Sequence, residues 1–248
     1  SDIYIEHMVK NIESLINEVL NSHDKPLSEI DVLSDEEKTL LSDYCRGMTA
    51  DVNDEDFFSV IFRKHALNNP EAMAVDDGNT QISYGELEKS TNSIAYDLKE
   101  NYNICKGSRV ALILPRNYHF PQLAISLNKI GAAFIPVDPI YPLKRIKHML
   151  EIADADYIIT TEEFKDLYDF NIDTICIEEL NEDDDVDLKI TCDAEDLFFI
   201  AFTSGTTGIP KGVMIKNSQY PGLCVSFKNT FNFSYGDVSG CYLSFSFI

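Results

Sequence analysis

Apolar side chains near the start of the chain recur three and four positions apart. This spacing puts them on one helical face and predicts a helix over residues 3–20. Its apolar positions are Ile5, Met8, Val9, Ile12, Leu15, Ile16, Val19 and Leu20. Residues 34–37, Ser-Asp-Glu-Glu, have the spacing of a capping box and predict the start of a second, short helix. The apolar face of the first helix needs a partner, which we expect elsewhere in the chain or in another domain.

The apolar pattern breaks at residues 46–56, where the chain turns polar and carries a glycine and several acidic residues. A stretch of this composition buries too little apolar surface to pack and is typical of a linker. We therefore predict a boundary here. The expected division is a helical segment at residues 1–46 and a larger domain at residues 47–248.

Beyond the linker, short runs rich in β-branched residues alternate with helical patterns. The predicted strands are residues 72–75, 109–114, 133–137, 157–160, 174–177 and 197–202. The predicted helices are residues 84–100, 118–130 and 143–152, and the first follows a capping box that begins at Ser83. This alternation predicts an α/β fold with mostly parallel strands flanked by helices.

Composition and charge exclude several classes of function. Of the 248 residues 44% are apolar, and no apolar run approaches the roughly 20 residues that a membrane-spanning helix needs. The formal charge of −22 argues against binding to nucleic acids or to anionic membranes, because both need a basic surface. No secretory signal is visible at the start, and we expect a cytoplasmic protein.

Metal binding is not predicted within the chain. The six cysteines are far apart in the sequence and form no C-x-x-C pair, which favours free thiols over a zinc site or a disulfide framework. The acidic residues at 182–187 lack the ligand spacing and the turn glycine of a calcium loop. We interpret them as a solvated loop.

The residues that offer the most chemistry lie at 202–212, Phe-Thr-Ser-Gly-Thr-Thr-Gly-Ile-Pro-Lys-Gly, directly after the last predicted strand. The glycines permit positive φ, so backbone N–H groups can converge on an anion, and hydroxyl and ammonium groups can contact phosphate oxygens. The spacing differs from that of a Walker loop. The expected phosphate-binding residues are Thr203, Ser204, Gly205, Thr206, Thr207, Gly208 and Lys211. Taken alone, Ser-Gly-Thr-Thr-Gly is equally compatible with a connection that binds nothing.

The whole eleven-residue string, which we call the phosphate motif, resembles the signature loop of adenylate-forming enzymes. Residues 82–87, Ile-Ser-Tyr-Gly-Glu-Leu, resemble an early segment of the same superfamily. Residues 129–146 resemble the form found in adenylation domains of nonribosomal peptide synthetases, above all in Asp-Pro-Ile-Tyr-Pro at 138–142. From the residues themselves we interpret 138–142 as a rigid turn that leads from a strand into the helix at Leu143.

The resemblance implies the large amino-terminal subdomain of the adenylate-forming fold, incomplete in this chain. Residues 1–46 resemble the tail of a condensation domain and its linker. The implied ligands are ATP, Mg²⁺ and a carboxylic acid, an amino acid foremost, and the implied partners are condensation domains and a carrier protein with a phosphopantetheine thiol. The family's catalytic lysine and its magnesium-binding and ribose-binding acids are expected after residue 248. We therefore expect no catalytic residue within the chain and no turnover by the chain alone.

Two positions depart from the family pattern. Residues 244–248, Ser-Phe-Ser-Phe-Ile, resemble a stretch that ends in the aspartate that pairs with the substrate ammonium, so Phe247 and Ile248 are the expected substrate-binding residues. Because a buried ammonium without a partner costs several kcal/mol, Ile248 favours a keto, hydroxy or aryl acid. A shifted register, or another acid that supplies the charge, would retain an amino acid. Asn217 stands where the family commonly has histidine, so we expect contacts near the phosphate tail to differ from those of the family.

Two other functions stay open. A stand-alone acyl- or aryl-CoA ligase shares the phosphate motif but is not expected to carry the 138–142 segment or the helical leading segment. A catalytically inactive domain kept as a scaffold would retain the motif without measurable affinity for ATP. Nucleotide binding separates the scaffold from the two enzymes.

Overall fold

The structure is a computed structural model that describes residues 2–21, 24–46, 57–167, 170–203 and 210–246. The chain divides into two compact units, Ser1–Thr49 and Ala50–Ile248. Within the described ranges, no helix is long and apolar enough to cross a lipid bilayer.

The first unit is helical. Helix α1 spans Asp2–Asn21 and helix α2 spans Asp35–Cys45, so both predicted helices are confirmed. The predicted capping box is also present: the Ser34 hydroxyl accepts from the Glu37 N–H, and the Glu37 carboxylate accepts from the Ser34 N–H. His7 of α1 is hydrogen-bonded to Glu37 at 3.1 Å, which ties the two helices together. The apolar stripe of α1 is largely exposed, and α2 buries no residue.

The second unit contains six helices and eight strands in its described part. The helices are α3 (Phe58–Asn68), α4 (Tyr84–Glu100), α5 (His119–Lys129), α6 (Leu143–Ala153), α7 (Glu162–Lys165) and α8 (Tyr220–Phe231). The strands are β1 (Met73–Asp76), β2 (Gln81–Ser83), β3 (Arg109–Ile113), β4 (Ala133–Val137), β5 (Tyr157–Thr160), β6 (Asp173–Cys176), β7 (Leu197–Thr203) and β8 (Lys211–Lys216). Every predicted strand and helix of this unit is present, and each end lies within one residue of the prediction.

Six strands form one sheet in the order β6-β5-β3-β4-β7-β8. Neighbouring strands are parallel except β7 and β8, which are antiparallel. Strands β1 and β2 form a separate antiparallel pair. The predicted α/β fold with a mostly parallel sheet is therefore confirmed. Because β3 to β7 are parallel, their carboxyl ends lie at one edge of the sheet, which we call the carboxyl edge.

Helices cover both faces of the large sheet. Helices α4 and α5 pack on one face, where they contact Val110 and Leu112 of β3. Helix α6 packs on the other face, against Ala111 and Ile113 of the same strand. Successive side chains of a strand point to opposite faces, so a sheet buried on both sides requires strands that are apolar throughout. This is why the central strands read as continuous apolar runs.

Five elements lie outside the predicted set, namely α3, α7, α8, β2 and β8. The side chains of β8 are mostly exposed, and its apolar run is only three residues long, at 213–215. The strand forms because its backbone pairs with β7 over six register positions. Helix α8 buries only Pro221 and leaves Leu223, Phe227 and Phe231 exposed, so its apolar spacing does not mark a face of the core. The hydrophobic pattern alone does not identify elements that form without a buried face.

A buried lysine joins three helices. Lys129, at the end of α5, is 0% exposed. Its ammonium donates to the Glu88 carboxylate at 2.8 Å, to the Thr91 hydroxyl at 2.8 Å and to the Asn92 amide oxygen at 2.7 Å, all on α4. Arg63 of α3 donates to Glu88 at 2.7 Å and to Asn92 at 3.0 Å. Each N–H of the ammonium has an acceptor, which offsets the cost of burying the charge.

Candidate active site

Two of the expected phosphate-binding residues meet at the carboxyl edge. Thr203 ends β7 and is half-buried, and Lys211 begins β8 with an exposed side chain. The two residues are cross-strand partners in the antiparallel register. Open α/β sheets bind their ligands outside the carboxyl ends of the strands, which is where this pair lies. Outside the described residues are Ser204, Gly205, Thr206, Thr207 and Gly208.

The end of β4 lies next to this pair. Strands β4 and β7 are parallel neighbours, with Phe134 opposite Phe199. Four residues further along each strand lead to Asp138 and Thr203, which therefore reach the same edge because both strands rise equally per residue. The chain leaves β4 toward β5 and leaves β7 toward β8, in opposite directions across the sheet. Such a divergence opens a crevice between the two strand ends.

Residues 138–142 form the turn predicted between β4 and α6. The Asp138 carboxylate accepts from the Ile140 N–H at 2.9 Å, and the Tyr141 N–H donates to the Asp138 carbonyl at 3.1 Å. The guanidinium of Arg145 lies over the Tyr141 ring, 4.0 Å from its centroid. The predicted rigid turn is confirmed, and its contacts hold a carboxylate and a phenol at the carboxyl edge.

Residues 241–246, which we call the serine segment, lie against this turn. The Ser244 hydroxyl donates to the Asp138 carboxylate at 2.6 Å, and the Ser246 hydroxyl donates to the Tyr141 hydroxyl at 3.0 Å. The two serine oxygens are 2.9 Å apart. Ser246 is 4% exposed, so water has little access to these hydrogen bonds. The four polar side chains form one continuous cluster.

Two further contacts hold the serine segment over the ends of β3 and β4. Phe245 stacks on Phe120 of α5, with ring centroids 4.2 Å apart and an interplanar angle of 6°. Arg116, which follows β3, donates to the backbone carbonyls of Cys241 and Tyr242. The segment is therefore held by an aromatic stack, by charge-assisted hydrogen bonds and by the polar cluster at the turn.

A cavity of about 720 Å³ opens beside the phosphate motif. It is lined by Pro210 and by residues at the start of α6 and on one of its faces, namely Pro142, Lys144, Arg145, Lys147, His148 and Glu151. Four basic side chains meet here in a chain whose formal charge is −22. The buried Nε of Arg145 has no hydrogen-bond partner in the described part of the chain. A cavity with this lining favours an anionic ligand.

Asn217 lies at the opposite edge of the sheet. It follows the last residue of β8, roughly 20 Å from Lys211 at the usual rise of a strand. Its side chain accepts from the Asn128 amide at 2.8 Å and donates to the Asp193 carbonyl at 2.9 Å. The expectation that this position bears on contacts near the phosphate tail is therefore wrong. Asn217 instead joins α5 to the loop before β7.

A separate group of ligand-type side chains lies near the ends of β5 and β6. Glu162, Cys176 and Glu179 place their ligand atoms within 4.8 Å of one another. The Lys165 ammonium lies 3.6 Å from Glu162 and 3.0 Å from Glu179, so both carboxylates already share one cation. Burial raises the pKa of Cys176 to about 11, which keeps the thiol protonated near neutral pH. Lys165, Glu162 and Glu179 therefore form an ion-pair cluster beside a protonated thiol.

The sequence indicates the parts of the site but not how they contact one another. The expected substrate-binding residues Phe247 and Ile248 follow the serine segment directly and lie outside the described residues. The turn and the serine segment are separated by more than 100 positions in the chain, and only the fold brings them together. Each stretch resembles a family segment, but the sequence alone does not indicate that the two stretches contact each other.

Comparison with known proteins gives the class of the molecule. A model of the AMP-binding enzyme family matches residues 62–248, and the chain belongs to this family. Surfactin synthase subunit 1 of Bacillus subtilis (strain 168) is 27% identical over 94% of the chain. Bacitracin synthase 2 of Bacillus licheniformis is 29% identical over 100% of it. The resemblance to adenylate-forming enzymes of the nonribosomal peptide synthetase type is confirmed.

A solved structure shows the same fold. It is a four-domain nonribosomal peptide synthetase bound to AMP and glycine, and it matches with a TM-score of 0.81 and 23% identity over 94% of this chain. The match spans 17% of that protein, and the matches to the surfactin and bacitracin synthases span 7% and 10% of their lengths. The chain therefore covers a small part of each relative.

Proposed function

We propose that this chain carries the nucleotide-binding edge of a nonribosomal peptide synthetase adenylation domain. The domain joins a carboxylic acid to the adenylate of ATP and passes the acyl group to the phosphopantetheine thiol of a carrier protein. Condensation domains of the same cytoplasmic synthetase are the neighbouring partners. The observation that carries this proposal is the pairing of Thr203 with Lys211, near the two ends of the phosphate motif and at the carboxyl edge.

The electrostatics of this edge support an anion. No ion-pair partner of Lys211 lies among the described residues, so its ammonium is available to a ligand in a strongly acidic chain. The basic cavity along α6 adjoins Pro210, the residue directly before Lys211. Both features favour the triphosphate of ATP over an uncharged ligand.

The proposed reaction depends on position and charge more than on a covalent enzyme intermediate. A carboxylate oxygen of the substrate bonds to the α-phosphorus of ATP, and the bond to the leaving pyrophosphate breaks. The proposed role of Thr203, of Lys211 and of the hydroxyls and N–H groups between them is to hold the β- and γ-phosphates. Mg²⁺ would add charge neutralisation. We propose that the nucleotide and the magnesium-binding acid expected after residue 248 would together hold the ion.

An amino acid is the proposed substrate. The relatives are peptide synthetases, and the matched solved structure contains glycine with AMP. The competing hypothesis of a keto, hydroxy or aryl acid rests on Ile248 in place of an aspartate. Exchange of pyrophosphate into ATP by the full-length protein, measured with a panel of amino acids and of the matching keto and aryl acids, distinguishes the two. Activity with the keto or aryl acids alone would refute the amino acid.

The phosphate-binding role is tested by Lys211→Ala in the full-length protein. Loss of a charge-assisted hydrogen bond to phosphate should lower kcat/KM for ATP in the exchange assay by about ten- to a hundredfold. Lys216→Ala is the matched control, because Lys216 lies on the same strand at the opposite edge and pairs with Glu195 at 2.6 Å. An equal loss in both variants, or none in either, contradicts the proposal.

A further inference from the structure

The turn at residues 138–142 lies between the two halves of the proposed site. Through β4 it neighbours the end of β7, where Thr203 begins the phosphate side. Through its side chains it contacts the serine segment, which leads to the substrate side. The turn therefore lies next to the strand that begins the proposed phosphate site and also contacts the serine segment on the proposed substrate side.

Building on the proposed function, we propose that Asp138 and Tyr141 are positioning residues that fix the serine segment, and with it the acid substrate, relative to the phosphate motif. They act through Ser244 and Ser246 and contact neither reactant. The spacing between the substrate carboxylate and the α-phosphorus decides how often a bound pair reacts. The hydrogen bonds from Ser244 to Asp138 and from Ser246 to Tyr141, which we call the latch, keep that spacing.

The polar cluster suits this role better than the aromatic stack beside it. The Phe245 ring gains most of its free energy from burial, which constrains the segment's direction weakly. Hydrogen bonds depend on distance and angle, so those to Asp138 and Tyr141 define where Ser244 and Ser246 lie. The Asp138 carboxylate is itself fixed by the Ile140 N–H, so the acceptor is preorganised.

The first experiment measures the latch without requiring activity. In the 248-residue chain, Tyr141→Phe should increase amide hydrogen exchange of the serine segment by about fivefold, the value of one ordinary hydrogen bond. Tyr96→Phe is the matched control, since Tyr96 is an exposed tyrosine on α4. Ser246→Ala should give at least the increase of Tyr141→Phe, because it removes the same hydrogen bond and also the contact with Ser244. Adding Tyr141→Phe to Ser246→Ala should change little, because the hydrogen bond that the two residues share is already absent. Unchanged exchange in the segment overturns the proposal.

The second experiment asks whether the latch serves the substrate. In the full-length protein, Tyr141→Phe and Ser244→Ala should raise KM for the carboxylic acid by about three- to tenfold, lower kcat because the bound acid is less well positioned, and leave KM for ATP within about twofold. A purely structural defect reduces the amount of active protein and shifts neither KM. Equal shifts in both values, or none, overturn the positioning role. If the wild-type protein shows no acid-dependent exchange of pyrophosphate into ATP, the proposed function is refuted. Amide hydrogen exchange then decides separately whether the latch exists.

Discussion

Lys129 shows how one residue type can mislead a reading based on composition. Lysine is rarely buried, yet here it lies at the centre of a network between α3, α4 and α5. The sequence marks it only as the first residue of a family-like segment, because its acceptors lie on another helix. Arg63 and Lys129 both pair with Glu88, so removal of this carboxylate would leave two cations uncompensated.

Burial lowers the pKa of Lys129 to about 8, against its ordinary value of 10.5, and the Glu88 carboxylate opposes this shift. Between these values the unfolded chain binds more protons than the folded chain, so the contribution of Lys129 to the free energy of unfolding rises with pH. From pH 8 to about 10, wild type should gain roughly 2 kcal/mol relative to Lys129→Met in urea unfolding. The variant keeps the Arg63–Glu88 pair, and the difference between the two proteins removes the contributions of the other titrating groups. Parallel pH curves for the two proteins contradict this.

At the scale of the element, α2 and α4 carry the same local signal in different settings. Both begin with a serine and glutamate capping box, at Ser34 and at Ser83. Helix α2 buries no residue, whereas α4 buries nine and belongs to the main core. Local capping chemistry therefore fixes where a helix starts, and tertiary packing decides how much the protein depends on it.

Ser83→Ala should lower the free energy of unfolding of the second unit by about 1 kcal/mol, because the cap of a core helix is lost. Ser34→Ala removes the same cap from α2 and should reduce helicity there while leaving the main urea transition unchanged. The measurement is urea unfolding followed by tyrosine fluorescence and by circular dichroism. A main transition that moves equally in both variants would show that cap loss does not depend on packing.

Periodicity located the central elements of the sheet and its helices because each buries a face or a whole strand. It missed β8 and α8, whose side chains are mostly exposed and whose formation depends on backbone pairing or on a proline in the first turn. In the candidate site, too, some features could be predicted from the sequence and others could not. The phosphate motif was readable as a string, whereas the hydrogen bonds between the turn and the serine segment join residues more than 100 positions apart.

At the scale of the whole molecule, burial is distributed unequally between the two units. The apolar residues of α1 are largely exposed, while Val110, Ala111, Leu112 and Ile113 of β3 are 0% exposed. Segments with few buried contacts open at low free energy, and central strands open only with global unfolding. Within the described residues, the first unit therefore has less internal protection than the central sheet of the second unit.

Brief trypsin digestion should cleave first after Lys10 and Lys38, on exposed sites of α1 and α2. Lys129 is the internal control, since it is fully buried and should be cleaved last. The peptides are identified by mass spectrometry over time. Early cleavage after Lys89 or Lys99 of α4, before the first unit is cut, would contradict this order.

The antiparallel return of β8 has a chemical consequence for the proposed site. In many phosphate-binding loops a helix begins directly after the loop, and its dipole and free N–H groups stabilise the anion. Here the residues from Lys211 onward form a strand, and strands contribute almost no net dipole. In the proposed site, a phosphate bound between β7 and β8 would therefore rely on hydroxyl groups, on loop N–H groups, on Lys211 and on the basic side chains of the cavity along α6. The density of threonine and serine in the motif offers hydrogen-bond donors where other phosphate-binding loops use the start of the next helix.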